Sequence, residues 1–136
     1  MGTRIEDTPV YRSAMAYAIA VDAFAEKLPM WRGYLKSQLR RSSLGGVLNL
    51  REGGSGIHPR EKARIYRIGK REIAESITAL DFTANVEPHL ADEARRLMQH
   101  GSDVCTQLYR LSRSQMNRAM KKGSASVRRE AERAPP

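Results

Sequence analysis

The chain has 136 residues, of which 40% are hydrophobic and 29% charged, so it is long enough for one domain and too short for two separate cores. No apolar run approaches the roughly 18 residues needed to span a bilayer, and no charged-then-apolar signal segment opens the chain. We therefore expect a cytoplasmic protein that makes no membrane contact, and the single Cys105 excludes an internal disulfide. The 24 Lys and Arg against 15 Asp and Glu give a net charge of +9, which favours a polyanionic partner.

The first predicted helix covers residues 8–28, because Thr8 can cap it, Pro9 suits its first position and Pro29 follows its end. Its apolar side chains recur at intervals of three and four, the heptad spacing by which a helix buries one narrow stripe. The members of this stripe are Val10, Ala14, Tyr17, Val21, Phe24 and Leu28.

The second predicted helix covers residues 32–52 and has a weaker stripe, which includes small and polar side chains. Its members are Leu35, Leu39, Ser42, Gly46, Asn49 and Gly53. Gly45-Gly46 either lets another helix approach closely or marks a local break, and we favour the close approach. Asn49 and Glu52 are interpreted as structural residues, with a ligand pocket as the alternative.

Two further helices are predicted over residues 59–87 and 90–120. The inward residues of the third are Tyr66, Gly69, Ile73, Ile77, Leu80 and Ala84. The fourth repeats the heptad pattern at Leu90, Ala94, Leu97, Gly101, Val104, Leu108 and Leu111. These patterns predict an all-α fold, an antiparallel up-down-up-down four-helix bundle over residues 1–122. Residues 123–136 have the composition of a disordered basic tail.

Several apolar side chains fall at helical spacing outside these stripes, where the core of one bundle has no use for them. Such sets indicate a buried interface between subunits, and we expect a homo-oligomer, with scattered, partly covered surface residues as the alternative. The predicted interface residues are Tyr11, Met15, Ile19, Leu44, Leu48, Ile65 and Ile68.

Basic residues are concentrated between positions 30 and 72, where eleven Lys and Arg face three acids. Four of them recur at intervals of four, three and four on the third helix and form one solvent-facing stripe. We predict a surface that binds the phosphates of RNA or DNA; the alternative is a solvated face or one that docks an acidic protein. The predicted binding residues are Arg32, Lys36, Arg40, Arg41, Arg51, Arg60, Arg64, Arg67, Lys70 and Arg71. The predicted tail adds a flexible basic arm, with a solubilising terminus as the alternative. Its basic residues are Arg113, Arg118, Lys121, Lys122, Arg128, Arg129 and Arg133.

Catalytic patterns are weak in this sequence. His58, His89 and His100 lack the spacing of metal ligands, and Cys105 lies beside the fourth stripe, where a small core or interface residue is expected. Aromatic residues are few, which disfavours a platform on which bases stack. We therefore expect a non-enzymatic protein with no catalytic residues, no cofactor and no metal site.

The stripes and the second helix resemble the four-helix-bundle proteins encoded in intervening sequences of bacterial large-subunit ribosomal RNA genes. The resemblance spans about residues 9–112. It rests on Val10-Tyr11, Leu28-Pro29, Ser37-Gln38-Leu39-Arg40-Arg41, Asn49 and Glu52-Gly53. Such proteins are similar in architecture to the accessory variability determinant of diversity-generating retroelements, a pentameric barrel of bundles with a basic surface. The resemblance therefore implies a pentamer that works with nucleic acid and has a reverse transcriptase as a candidate partner.

Overall fold

The computed structural model describes residues 3–135, which contain four α-helices, three short 3-10 helices and no strand. The α-helices are α1 (Pro9–Ala25), α2 (Gly33–Ser55), α3 (Pro59–Val86) and α4 (Ala91–Arg133). The 3-10 helices are Ile5–Asp7, Met30–Arg32 and Pro88–Leu90. The predicted all-α class with four helices is confirmed. Within this range no helix has both the length and the apolar character that crossing a bilayer requires.

The start of α1 follows from its sequence. Thr8 Oγ1 accepts a hydrogen bond from the Tyr11 N–H at 3.3 Å, and Pro9 fills the first helical position, where no N–H is needed. Pro59 opens α3 in the same way. These residues fix where the two helices begin.

The core lies among all four helices, because α1 and α3 each contact both α2 and α4. The four predicted stripes face this core. Five of their members are half-buried (Val10, Asn49, Ile77, Leu97 and Leu111), and the others are buried. The side chains of Tyr17, Val21, Phe24, Leu39, Ile73, Leu80, Val104 and Leu108 have no exposed surface at all. The heptad spacing therefore identified the buried face of every helix.

Three glycines, two in α2 and one in α4, are sites of close helix approach. A Cβ atom at Gly46 would collide with the Ile73 side chain of α3, and one at Gly53 would lie 2.5 Å from the Tyr66 ring. At Gly101 of α4 it would lie 2.9 Å from the Tyr17 hydroxyl. Gly45-Gly46 is thus a close approach and not a break. The predicted end of the second helix near residue 52 was too early, because α2 continues through Gly53 to Ser55.

The predicted disordered tail is helical in the structure, since α4 runs on to Arg133. Two features explain why this segment is helical. Ser112, Gln115 and Ala119 are buried, so α4 still packs against the core beyond Leu111. From Met120 onward every described residue is exposed, and residues 128–133 are all strong helix formers, which favours the helix. Pro136 lies outside the described residues.

Candidate nucleic-acid interface

Arg32, a predicted phosphate contact, is held inside the fold. Its Nε donates to Glu87 Oε1 at 3.0 Å, and its guanidinium carbon lies 3.8 Å from the centroid of the Trp31 ring. Only 13% of the Arg32 side chain and 11% of the Glu87 side chain are exposed. Arg32 therefore links the start of α2 to the end of α3 and is not available to a polyanion.

Other cations of α2 also have acidic partners. Arg40 Nε lies 2.9 Å from Asp22 Oδ1, and Arg40 Nη2 lies 2.7 Å from Glu26 Oε2. The hydrogen bond from Arg40, together with the charge of Lys36, lowers the pKa of Glu26. Arg51 Nε lies 2.8 Å from Glu6 Oε1. Arg40 and Arg51 are therefore neutralised by acids at α1 and in the N-terminal segment, as Arg32 is by Glu87.

Arg41 differs from the other α2 arginines, since it is exposed and its guanidinium donates to the Gln38 side-chain oxygen at 2.6 Å. Lys36 is half-buried near Glu26. Among the cations predicted for the α2 surface, these two form no ion pair within residues 3–135.

The arginine stripe of α3 faces solvent as its spacing predicts, because Arg60, Arg64, Arg67 and Arg71 are all exposed. Arg64 forms a two-pronged pair with Glu61, with distances of 2.6 Å from Nη2 to Oε1 and 3.0 Å from Nε to Oε2. In residues 3–135 no carboxylate lies within 4.0 Å of the other three arginines. The stripe thus contains three uncompensated positive charges.

A second basic surface, which the predicted binding set did not include, lies on α4 beside this stripe. Between Val104 and Arg129 the sequence has seven Lys and Arg and no acid. Five of these side chains line shallow grooves along α4, one of about 630 Å³ around Tyr109 and another that Arg60 of α3 also lines. The absence of acids from this stretch was the feature of the sequence that indicated a basic surface. Because the fourth helix was predicted to end near residue 120, much of the stretch was interpreted as part of a tail.

Two contacts join the α3 and α4 surfaces into one. The Lys70 ammonium lies 5.1 Å from the centroid of the Tyr109 ring, and Cys105 Sγ contacts the Lys70 carbonyl oxygen at 3.7 Å. At the other end, Arg60 and Arg128 line the same groove. We call this surface the basic face. It consists of Arg60, Arg67, Lys70 and Arg71 on α3 and Tyr109, Arg110, Arg113, Arg118, Lys121 and Arg128 on α4.

The predicted interface residues separate into two groups. Met15, Ile19 and Leu44 line one groove of about 270 Å³ between α1 and α2. Leu48 is exposed one turn further along α2 from Leu44. We call these four residues the apolar patch. Tyr11, also on α1, is half-buried and packs against the core as Met15 does, but it does not line this groove.

The assignment of Ile65 to an intersubunit surface was wrong, since Ile65 is 7% exposed within the chain. Because α3 packs against both α2 and α4, its buried arc is wider than one heptad stripe and also takes in Ala63, Ser76 and Thr83. Ile68 is half-buried and does not line the groove between α1 and α2.

The Tyr17 hydroxyl and Ser76 form a hydrogen-bonded cluster in the core. Ser76 Oγ donates to the Ile73 carbonyl oxygen at 2.6 Å, so the Tyr17 hydroxyl, 2.6 Å from Ser76 Oγ, donates to it. Burial raises the pKa of Tyr17 to about 12. The His100 ring packs edge-on against Tyr17, with 5.4 Å between centroids. Since Tyr17 has no exposed surface, this cluster is structural and not open to a substrate.

Comparisons with protein-family models, curated proteins and solved structures find no match for this chain. In residues 3–135 no three His, Cys, Asp or Glu side chains are grouped so that they could hold a metal ion. His58 and His89 are exposed, and burial raises the pKa of the half-buried Cys105 thiol. Asn49 donates to the Gly45 carbonyl oxygen at 2.8 Å within its own helix, while Glu52 is exposed. The basic face is the most distinctive surface of the molecule.

Proposed function

We propose that this is a non-enzymatic cytoplasmic protein that binds RNA or DNA through the phosphates, using the basic face. One observation carries the proposal: exposed arginines of α3 without acidic partners lie beside an acid-free basic stretch of α4. Uncompensated like charges repel one another, and a polyanion relieves that repulsion while it releases its own counterions. The arginine forks can each hold two phosphate oxygens.

We also propose that the four helices run up-down-up-down as an antiparallel bundle. In support of this, Gly46 meets Ile73 while Gly53 meets Tyr66, so residue numbers rise along α2 as they fall along α3. The apolar patch supports assembly into a homo-oligomer. A pentamer, and a role as an accessory subunit of a reverse transcriptase, are proposals that rest on the resemblance to intervening-sequence proteins.

A salt titration with two matched variants tests the proposed interface. The triple variant R60Q/R67Q/R71Q removes three charges from the basic face, and R40Q/R41Q/R51Q removes three from α2. We expect the first to weaken binding strongly and to reduce the log–log salt slope by about 0.7 to 0.9 for each phosphate that the protein no longer neutralises. The α2 variant should retain most of the wild-type affinity and slope, because two of its arginines are already paired with acids.

Two outcomes would contradict the proposal. If both variants lose the same affinity, binding follows net charge and not the basic face. If the wild-type protein binds neither RNA nor DNA at about 50 mM salt, nucleic acid is not its partner.

A second candidate function, a protein-interaction module, is favoured by a different surface. An aromatic-walled groove of about 600 Å³ lies between α2 and α3, where Tyr34 and Phe82 stand over buried Leu35 and Ala79. Its discriminating test separates the two surfaces. A protein partner whose binding is weakened by Phe82→Ala in this groove and unchanged in R60Q/R67Q/R71Q would favour this alternative.

A further inference from the structure

A half-exposed aromatic side chain lies within the basic face. Tyr109 is 50% exposed and lines the groove of about 630 Å³ along α4. The Lys70 ammonium stands over its ring at 5.1 Å, and Arg110 and Arg113 line the same groove. The Tyr109 hydroxyl can donate to a phosphate, but its exposed ring also offers a stacking surface for a base, which the cations around it do not.

The groove also carries uncharged polar groups. Ser114 and Asn117 line it together with Tyr109 and the basic side chains. A hydroxyl and an amide can both donate hydrogen bonds to the edges of bases and accept hydrogen bonds from them. Lys and Arg side chains can only donate. Along α4, Arg110, Arg113, Asn117 and Lys121 follow one another at intervals of three, four and four, over about 16 Å of helix. A strand that lies along this groove meets an aromatic ring at one end and charged and polar groups along the rest.

We propose that the basic face takes single-stranded nucleic acid, with an unpaired base stacked on Tyr109 and the neighbouring phosphates held by Lys70, Arg110 and Arg113. This inference rests on the proposed function and names its substrate class. In a duplex the faces of the bases are covered by their neighbours, so a stacking side chain can act only on unpaired bases. Tyr109 therefore makes binding selective for single strands over duplexes, while the cations bind both.

The test uses four fluorescein-labelled probes of equal length: a single-stranded RNA, a single-stranded DNA, an RNA duplex and a single strand without bases. Tyr109→Leu removes the ring, Tyr109→Phe keeps it, and Tyr34→Leu is the control, since Tyr34 is an exposed tyrosine (59%) on α2. Affinities are measured by fluorescence anisotropy over a range of salt concentrations. Circular dichroism and thermal melting confirm that each variant is folded.

We expect Tyr109→Leu to weaken single-strand binding roughly 5- to 150-fold, with an unchanged salt slope. The duplex and the strand without bases should bind Tyr109→Leu and the wild type equally. Tyr109→Phe and Tyr34→Leu should bind the single strands as the wild type does.

The failures of the two proposals are distinguishable. If Tyr109→Leu binds single strands as tightly as the wild type, or if the wild type prefers the duplex, stacking is overturned while the phosphate interface stands. If the wild type binds none of the probes, the proposed function itself fails.

Discussion

At the scale of single residues, the buried Tyr17 hydroxyl makes the fold sensitive to alkali. Burial in the core disfavours the phenolate and raises the pKa of Tyr17 from 10.0 to about 12. Because the folded pKa is higher than that of the unfolded chain, the stabilisation is complete below pH 10 and is lost as the pH rises from about 10 to about 12. Two pKa units correspond to about 2–3 kcal/mol. We expect the free energy of unfolding to fall by this amount over that pH range.

The measurement is the urea midpoint at a series of pH values for the wild type and Tyr17→Phe. The phenylalanine keeps the ring, and Ser76 keeps its hydrogen bond to the Ile73 carbonyl oxygen. The difference between the two proteins isolates Tyr17 from the other tyrosines and from the lysines. If the urea midpoints of the two proteins changed with pH in the same way, Tyr17 would not be the source of the sensitivity to alkali.

Gly46 is the glycine at which an added methyl group should lower the stability of the fold most. Its α-carbon faces the Ile73 side chain so closely that an added Cβ atom collides with it. Since the core is densely packed, we expect Gly46→Ala to lower the free energy of unfolding by about 1–3 kcal/mol. Gly46→Ala combined with Ile73→Val should recover part of the loss, as chemical denaturation can show. A neutral Gly46→Ala would mean that α2 and α3 do not approach as closely as described.

At the scale of elements, α4 consists of a packed part and an exposed extension that begins at Met120. Gly123 interrupts the extension, and a Cβ atom there would meet nothing within 4 Å. We expect Gly123→Ala to stabilise the local helix by about 1 kcal/mol, because alanine loses less backbone entropy than glycine. Slower amide exchange at residues 119–130 would show it. Unchanged exchange would contradict a helix through this segment.

The periodicity of the sequence predicted the helices but not the pairing of their charges. Heptad spacing depends on one helix at a time, so it identified the buried faces of all four. The partners of Arg32 and Arg51, by contrast, are Glu87 and Glu6, which lie far away in sequence. An arginine that is free and one that is paired across the fold look alike in a sequence. The predicted binding set therefore included α2 residues that the structure neutralises.

The end of α2 and the extent of α4 were also predicted incorrectly from the sequence. Glycines and a polar, basic composition usually end helices, and both predictions followed that rule. Gly53 is nevertheless helical, and the Tyr66 ring of α3 occupies the space that a side chain would take there. The basic stretch of α4 became part of a face only because α4 packs beside α3. Tertiary contacts decided both cases, and they are not contained in local composition.

At the scale of the whole molecule, the apolar patch and the basic face lie on different pairs of helices. The α1–α2 side carries the apolar patch and arginines already paired with acids, and the α3–α4 side carries the basic face. An assembly through the apolar patch would leave the basic faces of several subunits free. Linked copies of a weak site bind one long polyanion far more tightly than a single copy does. The two proposals therefore support each other physically while they remain separately testable.

The apolar patch gives the last prediction. Ile19 is 63% exposed, so Ile19→Glu should leave the chain folded while it places a charge in the proposed contact between subunits. We expect light scattering to give an oligomer for the wild type and a monomer for Ile19→Glu. Ile57→Glu is the matched control, since Ile57 is 84% exposed in the connection between α2 and α3, away from the patch, and this variant should stay oligomeric. A wild type with a monomeric mass would contradict the assembly. If the Ile19→Glu monomer loses affinity for long but not for short nucleic acids, several basic faces act on one strand.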